Sequence, residues 1–251
     1  MCAAALLSVH ALAFGEAATP RRLLMVAHSA GYEHQVVRRP APDRLSFAEE
    51  TVAELGRRGG WETRFLHARR EVTSAGPGVF DGVQAVLFFT TGDLPLAVGT
   101  REALFRFVRA GNGFIGVHSA TDTWDDVAEY GAMLGGSFDG HPWDQRVRVI
   151  VEDAAHPATR HLGAVLEIAD EIYQFRGWSR RDVHVLLRLD PRSVDVTKGK
   201  RPEQDYALAW WRRHGGGRVF YTALGHHREV WADERFRQHV LEGIRWAMGM
   251  P

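Results

Sequence analysis

From residue 22 onward the apolar positions switch between an unbroken pattern and a helical one. Leu23-Leu24-Met25-Val26-Ala27 is a short continuous apolar run, the pattern of a strand buried on both faces. Residues 46–58 follow at helical spacing. Ser46 and Glu49 make a capping box there, Ala48, Val52 and Leu55 share a face, and Gly59-Gly60 stop the helix. A second strand covers 61–66, with Trp61, Thr63 and Phe65 alternating, and a third, apolar throughout, covers 85–89. A helix over 100–110 ends at Gly111 and leads into a fourth buried strand over 113–117. Strand–helix–strand units in series predict a parallel sheet with right-handed crossovers.

The second half changes character. Segments 146–151, 165–168, 183–189, 206–211 and 218–222 read as strands separated by turns, which predicts antiparallel extensions of the sheet. Asp233 then caps a last helix whose Phe236, Val240, Ile244 and Ala247 lie on one face. No linker divides 20–251, so one α/β domain is expected. Residues 2–14 form a mostly apolar run followed by Gly15-Glu16-Ala17-Ala18. This is the layout of a secretory signal's apolar and cleavage regions, without the basic start and interrupted by His10. Residues 1–19 are therefore read as a signal peptide or apolar leader. The protein is expected in the periplasm or secreted, or in the cytoplasm if the leader is not processed. The run is too short to span a bilayer and no other segment qualifies.

Composition narrows the chemistry. With 45% apolar and 25% charged residues the chain is neither disordered nor fibrous. Its 31 Lys+Arg balance 31 Asp+Glu, which leaves no global field for nucleic acid, and no nucleic-acid partner is expected. The single cysteine, Cys2, excludes an intrachain disulfide and a multi-cysteine zinc site. Thirteen histidines remain.

In an open α/β sheet, ligands bind beyond the carboxyl ends of the strands. The first strand runs into His28-Ser29-Ala30-Gly31-Tyr32-Glu33-His34, the third into Thr90-Thr91-Gly92-Asp93, and the fourth into His118-Ser119-Ala120-Thr121-Asp122-Thr123. Gly116-Val117-His118-Ser119-Ala120 has the layout of a nucleophile elbow, with His118 at the apex where Ser or Cys usually stands. A histidine there suits acid–base work or metal ligation better than a stable covalent intermediate. The competing reading is a turn histidine that only orders its loop.

The segments 111–122, Gly135-Gly136-Ser137-Phe138-Asp139-Gly140-His141-Pro142, Asp170-Glu171-Ile172-Tyr173 and 217–226, together with Gly31-Tyr32-Glu33-His34, resemble ThuA-like domains. These trehalose-utilisation proteins are relatives of class I glutamine amidotransferases. The resemblance covers about 22–248 and implies a flavodoxin-like, mostly parallel sheet with helices on both faces. It also implies a role in the catabolism of disaccharides or keto-sugars. The chain departs from the amidotransferase pattern at the elbow, where His118 replaces the cysteine. Cys–His thioester chemistry is therefore unavailable and glutaminase activity is not expected.

The candidate catalytic residues are His118 and His226, the latter resembling the partner histidine of amidotransferases, with Glu171 or Asp122 orienting one of them. His34, His141, Trp124, Trp143 and Tyr173 are candidate substrate contacts. For each the bland reading stays open: a loop hydrogen bond for the histidines, an ion pair with an arginine for Glu171. Trp124, Trp143 and Trp178 flank candidate loops, and aromatic faces there favour a carbohydrate ligand, although loop packing explains any single one. No HExxH or similarly close spacing is present, but sheet ends can gather distant ligands, so a divalent metal such as zinc stays open. Two functions from different classes follow. One is a hydrolase, lyase or isomerase working on a sugar by histidine acid–base chemistry. The other is a non-catalytic sugar-binding or assembly module on an enzyme fold. A homo-oligomer is open in either.

Overall fold

The apolar runs become strands of one mixed sheet in the computed structural model, which describes residues 20–251. The expected leader lies outside the described residues. The strands are β1 (Arg21–Val26), β2 (Trp61–Leu66), β3 (Ala85–Phe88), β4 (Gly113–Val117), β5 (Ser137–Phe138), β6 (Trp143–Val151), β7 (Val165–Ile172), β8 (Phe175–Arg176), β9 (His184–Leu189), β10 (Ala207–His214) and β11 (Gly217–Thr222). The helices are α1 (Phe47–Gly59), α2 (Arg69–Ser74), α3 (Val98–Arg109), α4 (Ala128–Leu134), α5 (Arg228–Ala232) and α6 (Glu234–Ala247).

Nine strands pair in the order β2-β1-β3-β4-β11-β10-β9-β6-β7, and β5 pairs with β8 separately. β1, β2, β3 and β4 are parallel, as the strand–helix–strand series predicts. β11 corrects the expectation of a purely antiparallel second half: it lies parallel to β4, with Thr222 beside Val117. Its Val219 to Tyr221 stretch is buried because it sits in the middle of the sheet, and β10, β9, β6 and β7 then follow antiparallel.

Both faces are covered. The Phe220 ring of β11 packs on His239 of α6, whereas the Phe114 ring of β4, on the opposite face, meets Tyr130 of α4. The predicted capping box is present, with Glu49 N–H donating to Ser46 Oγ and Ser46 N–H to the Glu49 carboxylate. Asp233 caps α6 by accepting from the Arg235 N–H. Among the described residues no helix is long and apolar enough to cross a membrane.

Candidate active site

Three loops leave the carboxyl ends of β1, β3 and β4 and are laced together. Ala30 N–H donates to the Thr91 carbonyl, and Gly92 N–H to the Asp122 carbonyl. Thr91 Oγ1 donates to Ser119 Oγ, and the Thr90 and Thr123 hydroxyls meet at 2.7 Å. Gly92 is required at this seam: its φ is +75°, and a Cβ would stand 3.1 Å from the backbone of Ala30. The polar clusters that follow the apolar strands therefore form one connected floor.

His118 stands at the apex of a strand-to-turn corner with φ +48°, in the left-handed region where a histidine is uncommon. Small neighbours permit the corner. A Cβ on Gly116 would meet the Tyr221 ring at 2.9 Å and Ala120 at 3.3 Å. Tyr221 holds the bend by donating its hydroxyl to the His118 carbonyl at 2.7 Å. The His118 side chain is fully buried, and its Nδ1–H donates to the Ala223 carbonyl at 2.7 Å, so Nε2 is the nitrogen that faces the site.

His226 reaches the same place from the end of β11. Buried Asp170 of β7 accepts the backbone N–H groups of Gly225, His226 and His227 at 2.7, 3.1 and 3.4 Å. Three strands separate β7 from β11 in the sheet, so the antiparallel part curls back over the floor. The curl delivers Glu171, whose Oε2 lies 3.0 Å from His226 Nδ1 and 3.4 Å from His118 Nε2. The two nitrogens are 3.2 Å apart. The other oxygen of Glu171 is 3.1 Å from Nδ1 of the half-exposed His141. His34 packs edge-on against His118 and His226, with ring centres 4.8 and 5.1 Å away.

Charge in the cluster follows from burial and from these contacts. Burial, with His118 and His226 adding to it, pushes the His34 pKa down to about 2. Burial opposes a charge on His226 too, but the hydrogen bond and attraction from Glu171 outweigh it and raise that imidazole. Burial likewise works to raise Glu171, yet its bonds to His118 and His226 hold the carboxyl well below the usual range. Burial raises Asp122, against the pull of Arg176, and it raises Asp170 against His118 and the backbone N–H groups. The Tyr173 phenol, buried and beside Glu171, is pushed far up.

Above the cluster lies a cavity of about 370 Å³, within the range of small-molecule sites. His34, His141, Glu171, Tyr173, His226 and Asp122 all line it, and His118 lies directly beneath. Asp122 is not bonded to any of the histidines among the described residues, so of these two carboxylates it is Glu171 that contacts the imidazoles. The tryptophans stand elsewhere. Trp124 is buried against Phe88 and Tyr130 with its indole N–H on the Leu94 carbonyl, and Trp143 is buried against Tyr206 with its N–H on the Asp195 carbonyl. Neither ring lines this cavity, contrary to the expectation that they stand in it; Trp124 borders a neighbouring cavity with Gly92, Asp93 and Asp122. Trp178 is likewise buried, under Arg201. The aromatic groups that do line it are Tyr32, Phe138 and Tyr173. Tyr32 is 64% exposed at the mouth, and its ring stacks over His226 at 6.3 Å. Tyr32 is not among the residues expected from sequence to touch substrate, although an aromatic residue between Gly31 and Glu33 in a loop was an available signal. Asp170 is absent from that set as well, because nothing local distinguishes it from Glu171.

A family model described as ThuA, trehalose utilisation, matches residues 22–247. Among solved structures, a ThuA-like protein from Bacteroides uniformis superposes with a TM-score of 0.73 at 22% identity, covering 94% of this chain and 95% of that one. A ThuA-like protein from Parabacteroides merdae gives 0.71 at 17% identity, covering 92% and 91%. A GMP synthase component from Thermoplasma acidophilum gives 0.54 at 10%, covering 92% and 96%, which relates the fold to the amidotransferase-like type. None of the curated proteins matches the chain.

Proposed function

Because the chain belongs to the ThuA (trehalose utilisation) family, and with it to sugar metabolism, we propose that it is a carbohydrate-catabolism enzyme. It acts on a disaccharide or keto-sugar glycoside by histidine acid–base chemistry, in the cavity above His118. One observation carries the reading: His34, His118, His226 and Glu171 converge within 4.8 Å beneath a single cavity. A module that only binds sugar has no need of three imidazoles and a carboxylate in mutual contact, and their convergence argues against that alternative.

Glu171 Oε2 lies beside buried His118 as well as His226, and the two cavity-facing imidazoles that Glu171 holds are His226 on Oε2 and His141 on Oε1. Both imidazoles line the cavity and are positioned to exchange protons with a bound sugar. Asp122 lines the wall beside them, its carboxyl raised by burial against the pull of Arg176. A keto group next to the abstracted proton brings isomerisation, elimination or hydrolysis within reach of side-chain groups. Tyr32, Phe138 and Tyr173 offer apolar faces to a sugar ring. The apolar run before residue 15 supports action outside the cytoplasm.

The test is a panel of disaccharides and their 3-keto derivatives, with the wild type and His118→Asn, a residue that tolerates positive φ. Turnover of at least one member, lost in the variant with its thermal midpoint nearly unchanged, is expected. Full activity in the variant, or binding without turnover across the panel, overturns the reading.

A further inference from the structure

We propose that His118 Nε2, His226 Nδ1 and Glu171 Oε2 are ligands of a divalent first-row transition-metal ion of the zinc type, with His34 a fourth at longer reach. The first ground is spacing. The three atoms form a triangle with edges of 3.0, 3.2 and 3.4 Å. Nitrogen and oxygen ligands at about 2.0–2.1 Å from a tetrahedral ion stand roughly 3.3 Å from one another.

The second ground is a count of protons. His118 Nδ1 must carry the hydrogen that it gives the Ala223 carbonyl, so Nε2 of the neutral ring presents a lone pair. Glu171 Oε2 also presents a lone pair. A proton on His226 Nδ1 serves the edge to Glu171, and the 3.4 Å edge between His118 Nε2 and Glu171 Oε2 is left lone pair to lone pair. One cation at the centre satisfies all three atoms at once.

The third ground is the outer shell. A ligating histidine characteristically gives its other N–H to a carbonyl, as His118 does to Ala223. Glu171 has its second oxygen beside His141, and Asp170 fixes the loop that carries His226. His34 is buried with Nδ1 lacking a hydrogen-bond partner, and one of its ring nitrogens lies within 4.8 Å of the other three atoms. Imidazoles with one carboxylate suit zinc, iron, cobalt and their neighbours. They do not suit calcium or magnesium, which take oxygen, nor the thiolate-bound centres.

The inference rests on the reading of this cavity as the active site and refines one role in it. His226, while it holds the ion, does not exchange protons, and His141 keeps that function. The bound ion supplies a Lewis acid for a sugar oxygen.

Co²⁺ titration of the chelator-stripped full chain tests the site by its visible absorption, and elemental analysis reads Zn²⁺ directly. One ion per chain is expected, with tetrahedral or five-coordinate cobalt bands. Glu171→Gln, His118→Asn and His226→Gln should each weaken Co²⁺ binding at least about tenfold, while His184→Gln, on the remote pair with Asp153, leaves it unchanged. Circular dichroism of each variant separates lost binding from lost folding. Absence of cobalt bands in the wild type, or affinity unmoved in folded variants, overturns the inference. Sugar turnover by metal-free protein also overturns it while leaving the proposed function standing. Stoichiometric metal without turnover of any sugar does the reverse.

Discussion

The parallel strands β1, β3, β4 and β11 and the antiparallel strands beyond them build the cavity by different means. The parallel half supplies imidazoles, His34, His118 and His226, each in the loop at a strand's carboxyl end. Its β1, β3 and β4 loops are laced by backbone and hydroxyl bonds, and His34 and His118 are almost sealed from solvent. The antiparallel half supplies the carboxylate, from the end of β7, and the half-exposed His141 before β6. Its hold on the floor runs through Asp170 and Glu171. The carboxylate in contact with these imidazoles is thus a product of the curl, whereas Asp122 of the parallel half lines the cavity without bonding them.

The largest effect should come from separating the two contributions. His118→Asn on one side and Glu171→Gln on the other should each lower kcat/KM about a hundred- to ten-thousandfold. The double variant should be scarcely worse than either alone, because residues that act as a unit are not additive. Steady-state kinetics on whichever sugar is turned over checks this. Independent, multiplying losses would show that the halves act separately.

Removing the link itself should show in stability before activity. Asp170→Ala leaves three backbone N–H groups, at Gly225, His226 and His227, without their acceptor in a buried setting. A cost of about 3–5 kcal/mol is expected from denaturant unfolding, with Asp170→Asn between it and the wild type because one acceptor oxygen remains. Wild-type stability in Asp170→Ala would mean that something other than this carboxylate holds the curl.

What could be read from sequence divides along the same line. Strands buried on both faces are continuous apolar runs, so β1, β3 and β4 and the clusters that follow them were legible, and His118 stood out because Gly116 and Ala120 flank it. The placement of β11 was not, since its Val219-Phe220-Tyr221 run fits either direction and only its neighbours decide. Nor does any local pattern say that β7 curls back to set Glu171 on His226, a contact 55 positions apart along the chain. The indoles of Trp124 and Trp143 misled for a related reason: a tryptophan beside a loop reads the same whether it faces the core or the cavity.

A smaller effect separates the two regions by acid. His239 of α6 gives its Nδ1–H to the Ala158 carbonyl in the segment after β6, while its Nε2 is buried without a hydrogen-bond partner. Burial, reinforced by His161 and His156, lowers its pKa to about 4, and burial lowers His156 to about 4 as well. Both folded values lie below the unfolded 6.5, so the unfolded chain binds more protons between them. The stability these neutral rings contribute is complete above pH 6.5 and is lost as pH falls toward 4. At pH 4.5 the loss for fully buried His239 is about 2–3 kcal/mol. Thermal midpoints from pH 7.5 to 4.5 should fall in the wild type and fall less in His239→Gln. Parallel curves would place the acid sensitivity elsewhere.

The smallest effect decides whether the antiparallel half touches substrate through its tryptophan. Trp143 begins β6, one residue before the cavity-lining Asp144, yet its ring turns inward to Tyr206 and its N–H to the Asp195 carbonyl. Trp143→Phe keeps an aromatic ring in that packing and loses the indole hydrogen bond, a cost of about 1 kcal/mol. Because the side chain does not reach the cavity, KM should stay at the wild-type value while the thermal midpoint drops by a few degrees. Tyr32→Ala is the counterpart, since an exposed ring at the mouth contributes little to folding and stands where a sugar would stack. It should raise KM and leave the midpoint in place. A KM increase in Trp143→Phe with none in Tyr32→Ala would return the sugar-binding role to the tryptophan and require the antiparallel wall to open when substrate arrives.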